Sequence, residues 1–579
     1  MRPQELQERC SSCSTAIIFF TIMGFSFLTR CLLSILYALR FGNHAVPYVE
    51  TYFYYGVLSG DYVLPSHDPT HIIFYLSRSF IPSRFLYPFL IFLGILLISL
   101  SASLVFLVAK ELFGKERAFV CGILYAFMVE PLTMGILLFT HDLVQLPFFL
   151  LACLTALRVA NEKNVRLRVA YLVLLLTILA LGWFINAVIF IALETILLFS
   201  ILSIAGHIGR KAKVAYDVRG WLLGALVVSF IVARIAGVFS VPATLRIIST
   251  LFPAYRYEGL ISTFLAGSPD FVPVGFDAIW TRYTVLVLLL PFSLYEAHRK
   301  RYFFPLTLLI VTFFNVTFFD RATRLMDVAF ALIIPHVLFE WDRRYDRYAY
   351  LLLSSGLILA IVFLLGSHFS PLLLIVFLVP LLLFFGIIIY SRRREGARLG
   401  YAVILIICFL NIPFTYLMVS SFSPQATEGE WRAARSLPAD NGMMLVPWAQ
   451  AFFFTTVSRH PSQVPPGAVD FYYYEILMMD EEKAYAILAE HPVTYLFISD
   501  REFRVYIDPA TRNLSASLHP YYRRFLPPDA KMEYVKTTLA YRMLYESTTL
   551  SHFRIVYETT DEATGMRVRF FVVQRTKPF

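Results

Sequence analysis

Residues 137–149 read LLFTHDLVQLPFF. A short polar insertion, His141 and Asp142, stands between apolar runs that extend back to 118 and on to 157. A turn between two membrane spans accounts for this pattern, because a span needs about 20 apolar residues. The whole composition agrees. Of the 579 residues, 58% are hydrophobic and 16% charged, whereas soluble domains carry roughly 25% charged residues.

Working outward, apolar runs recur at 15–38, 85–109, 118–139, 143–157, 169–182, 184–206, 220–240, 279–297, 302–318, 323–339, 348–366, 369–390 and 399–418. That makes about thirteen spans. Every second loop is basic: 110–117, 158–168, 207–219, 298–301, 342–347 and 391–398. The positive-inside rule then puts the N-terminus in the cytoplasm and the tail after the last span outside the cell. The first run is longer than a signal-peptide core, so it reads as a retained span. The net charge of +10 sits largely in these loops. Topology explains it, and no zinc finger, aromatic RNA-binding motif or basic helix points to nucleic acid.

The expected architecture is a polytopic α-helical membrane domain over 1–419 and an external α/β domain over 420–579. Two long external loops, 40–84 and 241–278, mix aromatics, acids and Pro/Gly, a composition suited to the membrane surface and to covering a site. In the tail, EWRAARSLPAD predicts a short helix, and Asp480 predicts a helix cap before EEKAYAILAE. VTYLFIS predicts a buried strand, and FRIVYETT with MRVRFFVVQR predicts a strand pair. The Cys10–Cys13 pair lacks a second CxxC, so it is a weak zinc signal.

The charges facing outward at or near membrane depth are the candidates for chemistry. Asp142 sits in a turn too short to leave the surface. Its structural reading is a helix cap; its functional reading is a ligand for Mg²⁺ or Mn²⁺, shared with acids from other loops. His141 reads as its neighbour and hydrogen-bond donor. In FFDRATRLMDVAF, Asp320, Arg324 and Asp327 fall at helical spacing. They read either as an intramembrane ion pair or as a phosphate grip by the Arg324 guanidinium. Arg30 and Glu194, inside spans one and six, read as structural partners or as groove lining. No P-loop or dinucleotide fingerprint appears, so a transferred group is more simply delivered from the membrane on a lipid phosphate.

Taken in order, these features resemble the catalytic subunit of oligosaccharyltransferase, in particular the archaeal dolichyl-linked type, a glycosyltransferase of the GT-C fold. ETYFYY places Glu50 where the family has its first acid. HDLV supplies Asp142 of the second acidic motif, with Val144 at the position of the second acid. Arg324 matches the family's phosphate-binding Arg in span ten. Glu258 is the nearest counterpart of the acid in the second long loop. In VPWAQAFFF, Trp448 matches one Trp of the acceptor-reading motif, while Ala449, Gln450 and Ala451 replace its Asp, Tyr and Gly.

The resemblance implies transfer of a glycan from a dolichyl phosphate or diphosphate to asparagine in a protein sequon, by a single membrane subunit. Glu50, Asp142 and Asp68 would hold the divalent ion. Arg324 would hold the phosphate, Glu50 or Glu258 would orient the nucleophile, and His141, Trp448 and Gln450 would touch substrate. The donor-side features match better than the acceptor side, so a related GT-C enzyme with a lipid, glycan or other acceptor is the alternative. A transporter should show an inverted repeat, which is not seen. A surface-layer anchor would tolerate loss of both Glu50 and Asp142.

Overall fold

The computed structural model describes residues 3–45, 50–59, 77–134, 141–185, 302–316, 323–339, 424–447, 450–463, 472–501, 503–507, 514–518 and 532–575, with scattered positions between them. The predicted spans at 220–240, 348–366 and 369–390 lie outside these residues, as does the loop 241–278.

Helix α1 (Pro3–Phe41) opens the chain, and α2 (Glu50–Ser59) follows in the first long loop. Then come α3 (Leu86–Phe113), α4 (Lys115–Phe127), α5 (Val129–Thr133), α6 (His141–Asn161) and α7 (Val165–Ile185). Later, α8 (Phe303–Val316) packs on α9 (Thr323–Phe339). Among the described residues, four stretches are long and apolar enough to cross a membrane: Ser14–Phe41, Leu86–Phe113, Leu143–Asn161 and Val165–Gly182. The chain is therefore a multi-pass membrane protein. Helices α3 and α6 are mostly buried and form the inner layer. Helices α1 and α7 leave Phe20, Phe25, Leu28 and Val173 exposed on their outer faces.

The expected third span, 118–139, is not one helix. It ends at Phe127, turns through Met128 in an extended conformation (φ −65°, ψ 150°), and resumes only for the short α5. Pro131 explains the break. It has no N–H to donate to the Phe127 carbonyl four residues back, and its ring crowds that oxygen. The released carbonyls find other donors. The Phe127 carbonyl accepts from Asn411 Nδ2 at 2.9 Å. Arg30, fully buried on α1, donates from Nη2 to the carbonyls of Ala126 (3.1 Å) and Pro131 (2.8 Å). Its Nη1 bonds Ser26, whose hydroxyl meets Ser99 of α3. Of the two readings open for Arg30, the structure supports the structural partner.

The tail has helices and strands where its periodicities predict them. Helix α10 (Glu428–Arg435) starts with a full capping box: the Glu430 N–H donates to Thr427 Oγ1 and the Thr427 N–H to Glu430 Oε2. Strand β1 (Met443–Leu445), helix α11 (Ala451–Ser458), helix α12 (Tyr472–Met478) and helix α13 (Glu481–Glu490) follow. Asp480 caps α13, accepting from the Lys483 N–H at 2.9 Å. Strands β2 (Val493–Ser499), β3 (Phe503–Ile507) and β4 (Leu514–Leu518) come next, then α14 (Met532–Thr537), α15 (Leu539–Tyr545), β5 (Phe553–Thr560) and β6 (Arg567–Val573). The main sheet runs β1-β2-β6-β5, with β1 parallel to β2 and the other pairs antiparallel. β3 and β4 form a separate hairpin that the residue pattern alone does not announce.

Replacing Arg30 by Met should leave the Ala126 and Pro131 carbonyls unmet in an apolar interior. Losing buried partners of this kind costs about 1–3 kcal/mol each. The expected result is a lower melting temperature of the detergent-purified protein. Arg30→Lys, which lacks the planar fork, should recover only part of the loss.

Candidate active site

Glu50 is the first residue of α2, and the next residue fixes where that helix begins. The backbone N–H of Phe139 donates to Thr51 Oγ1 at 3.2 Å, and Thr51 is fully buried. The Phe139 ring packs edge-on against Tyr54 at 5.0 Å. Tyr54, Leu58, Phe139 and Val144 share one buried cluster. The first turn of α2 is therefore pinned to the segment that enters α6, three residues before Asp142. The description of Glu50, His141 and Asp142 is of the backbone. Asp142 is the second residue of α6, inside the first turn rather than ahead of it, where the helix dipole favours a negative charge. Farther in, Pro147 cannot donate to the Leu143 carbonyl, so an acceptor is released in that same first turn.

Arg324 comes from α9, which packs on α4 and α5, the two pieces flanking the break. The helix begins at Thr323, so Arg324 and Asp327 share a face at i, i+3 while Asp320 lies outside the described residues. Arg324 is half-buried and Asp327 is 1% exposed. The structure thus brings the backbones of Glu50 and Asp142 to one corner and lays the Arg324 helix on the neighbouring break.

The tail closes on the same corner. Helix α11 is apolar on two sides. Phe454 turns to the sheet, 4.3 Å from Phe497, while Phe453 meets Tyr52 and Phe452 meets Phe53, each at 4.8 Å. Thr456 Oγ1 donates to the Tyr52 carbonyl at 3.4 Å. Tyr52 belongs to the hydrophobic core of the tail itself, so the boundary drawn near 419 is bridged by packing from the first loop. Ahead of α2, on the same N-terminal side, His44 stacks on Trp431 of α10, with ring centres 3.9 Å apart and planes 2° from parallel. The His44 N–H donates to Glu428 Oε2 at 3.1 Å, and Tyr52 Oη donates to the His44 carbonyl at 2.9 Å. Gly42, at φ +96°, allows this approach, since a Cβ there would lie 2.7 Å from Glu428 Oε2. Burial holds the His44 imidazole below its ordinary pKa, against the pull of Glu428, with Arg435 adding to the depression.

Other sequence-predicted positions fall elsewhere. Asp68, Glu258 and Trp448 lie outside the described residues, as does Asn513 of one sequon; Asn315 of the other lies within α8. Gln450 is buried, and its Nε2 donates to the Gln425 carbonyl at 2.7 Å. That nitrogen ties two parts of the tail together, while Oε1, also buried, has no hydrogen-bond partner. Among the described residues no three His, Cys, Asp or Glu side chains gather as a metal site. Thr51 was missed because a threonine beside an acid carries no pattern of its own. Gln145 was missed too, although an amide inside an apolar helix, three residues after Asp142, was a usable signal.

Residues 89–233, about a quarter of the chain, match the family described as dolichyl-phosphate-mannose-protein mannosyltransferase. No curated protein sequence matches the chain. Solved structures do. The archaeal oligosaccharyltransferase AglB from Archaeoglobus fulgidus, in complex with an inhibitory peptide and a dolichol-phosphate, is similar with a TM-score of 0.57 at 14% identity. The match covers 93% of this chain and 79% of that one. ArnT from Cupriavidus metallidurans, bound to undecaprenyl phosphate, is similar with a TM-score of 0.51 at 12% identity, covering 98% and 99%. The chain shares the fold of these solved structures.

The His44–Trp431 stack makes the position of α2 testable. An aromatic pair contributes about 0.5–1.5 kcal/mol beyond burial, so Trp431→Ala should speed hydrogen exchange in residues 50–59 by up to roughly tenfold, and Trp431→Phe by less. Because the folded state depresses the pKa of His44, its contribution is complete above the unfolded value of 6.5 and is lost as the pH falls through the folded one. After correction for intrinsic exchange, α2 should loosen on acidification, and His44→Phe should remove that pH dependence.

Proposed function

We propose that this protein transfers a sugar from a dolichyl-type phosphate or diphosphate, held at the membrane surface, to an acceptor. The observation that carries the reading is the Thr51–Phe139 hydrogen bond, which pins the helix starting at Glu50 against the entrance to the helix carrying Asp142. In this reading the Glu50 and Asp142 carboxylates meet from separate segments, and a cation would let them tolerate each other. Hard oxygen donors of this kind suit Mg²⁺ or Mn²⁺. Bound there by Glu50 and Asp142, joined by Asp68 or Glu258, the ion would stabilise negative charge on a phosphate oxygen. The structure of AglB solved with zinc and sulfate is consistent with such a site in a protein of this fold.

Arg324 grips the donor phosphate in this reading, with His141 beside it. The acceptor attacks the anomeric carbon, the bond from that carbon to the phosphate oxygen breaks, and its electron pair leaves on the phosphate. Glu50 or Glu258 takes the proton from the nucleophile. The full topology belongs to the same proposal: about thirteen spans, a cytoplasmic N-terminus, and the tail and both long loops outside the cell.

For the acceptor there are two readings. Asparagine in a sequon follows from the likeness to AglB and from Trp448. A non-sequon acceptor, lipid or glycan among them, is supported by the replacement of the resembled family's Asp, Tyr and Gly by Ala449, Gln450 and Ala451, and by the burial of Gln450, whose Nε2 donates to the Gln425 carbonyl. The ArnT match over nearly the full length of both chains is consistent with the second reading.

Purified protein, a panel of dolichyl-linked sugars and mass spectrometry of peptide, lipid and glycan acceptors test the reading. Asp142→Asn and Glu50→Gln should each lower transfer by about 10²–10³-fold, the usual loss when one stabiliser of developing charge is removed, with melting unchanged. Wild-type transfer rates in both variants would sink the proposal.

A further inference from the structure

Gln145 lies one turn into α6, three residues after Asp142 and so on the face that Asp142 begins. It is 5% exposed, and neither Oε1 nor Nε2 has a hydrogen-bond partner. Among the described residues no other buried side-chain amide is unmatched at both ends; Gln450 has its nitrogen bonded, and Asn411 does too. A buried polar atom left unmet bears its full desolvation penalty, and an apolar residue of the same size would avoid it. Such a residue in a membrane helix calls for a function.

The chemistry of the amide narrows what it binds. A phosphate only accepts, so it would satisfy Nε2 and leave Oε1 bare. A cation would take Oε1 and leave Nε2 bare. Neighbouring sugar hydroxyls do both, one donating to Oε1 and one accepting from Nε2. We infer that Gln145 reads the sugar of the lipid-linked donor, binding two of its hydroxyls beside the site begun by Asp142. The inference rests on the transfer reading above and adds to it the part of the donor that is recognised within the membrane helix.

The test uses full-length protein in detergent with dolichyl phosphate, dolichyl phosphate mannose, dolichyl phosphate glucose and dolichyl diphosphate N-acetylglucosamine as probes, in wild type, Gln145→Leu and Gln145→Glu. Wild type should bind at least one sugar-bearing lipid about ten- to a hundredfold more tightly than dolichyl phosphate, the gain expected from two added hydrogen bonds. Gln145→Leu should erase that preference while leaving affinity for dolichyl phosphate unchanged. It should also melt no lower than wild type, since it removes an unmet polar group. A purely structural role predicts the opposite pattern, with lower melting and intact preference. Gln145→Glu keeps an acceptor and loses the donor, so it should retain part of the preference. Where transfer is measurable, the loss in Gln145→Leu should fall on KM for the donor. Equal sugar preference in Gln145→Leu and wild type, or none in wild type, would overturn the inference. Sugar-selective binding without any transfer would instead overturn the enzyme reading and leave the role of Gln145 standing.

Discussion

A guanidinium inside a membrane protein has no water to turn to, and neither do backbone carbonyls released by a broken helix. Arg30 and the break at Met128 solve each other's problem. A charged side chain at the centre of a span costs about 2.5–3.5 kcal/mol on insertion scales, and an unmet backbone group in lipid costs several more. Here the fork of Arg30 on α1 reaches the carbonyls of Ala126 and Pro131, while Asn411 meets Phe127. The chain can therefore leave the helical path within the protein interior. That departure frees residue 139 to give its backbone N–H to Thr51, and it lets a new helix start just before Asp142. The geometry of the candidate site descends from one proline and the arginine that makes it tolerable.

The tail takes part in the same corner. An external domain joined by a linker would present one apolar face, toward its own sheet. Helix α11 presents two, and the second receives Tyr52 and Phe53 from α2. The stack of His44 on Trp431 and the bond from His44 to Glu428 hold the segment just ahead of α2. Held at its start by the tail and by the packing of Tyr54 on Phe139, α2 has little freedom to move its first residue away from the entrance of α6. Positioning of this kind, with side chains fixed by a packed surround, is what sites acting on charge require.

Much of this was legible in the residues, and the part that was not has a physical explanation. The Asp480 cap, the strand VTYLFIS and the pairing of the last two strands follow from local rules, because each is decided by neighbours in sequence or by a two-residue period. The predicted helices around 15–38, 85–109 and 143–157 also follow from hydropathy, although α6 runs longer in both directions. The break within 118–139 is hidden, since hydropathy does not distinguish a broken apolar run from a whole one; only Pro131 marked it. The role of Arg30 is hidden for a different reason. Its partners are carbonyls, which every residue carries, so no side-chain pattern announces them. Thr51 and Gln145 escaped notice because their meaning depends on tertiary placement: one meets a distant N–H, and the other meets nothing.

The division between donor and acceptor follows the architecture. Of the candidate groups for the ion and the phosphate, Asp142 lies in the first turn of a membrane helix, Glu50 starts a loop helix pinned to its entrance by a buried hydrogen bond, and Arg324 lies on α9, which packs on α4 and α5. The stretch that resembles the family's acceptor-reading motif lies in sequence between β1 and the first residue of α11. This chain has alanine at 449 and 451. Gln450 between them has folded inward to the Gln425 carbonyl and come near Glu430, whose Oε1 is 3.4 Å away. Glu430 in turn pairs with Arg501 at 3.2 Å. Under the non-sequon reading proposed above, a chain with this fold would depart from sequon recognition without giving up lipid-linked sugars.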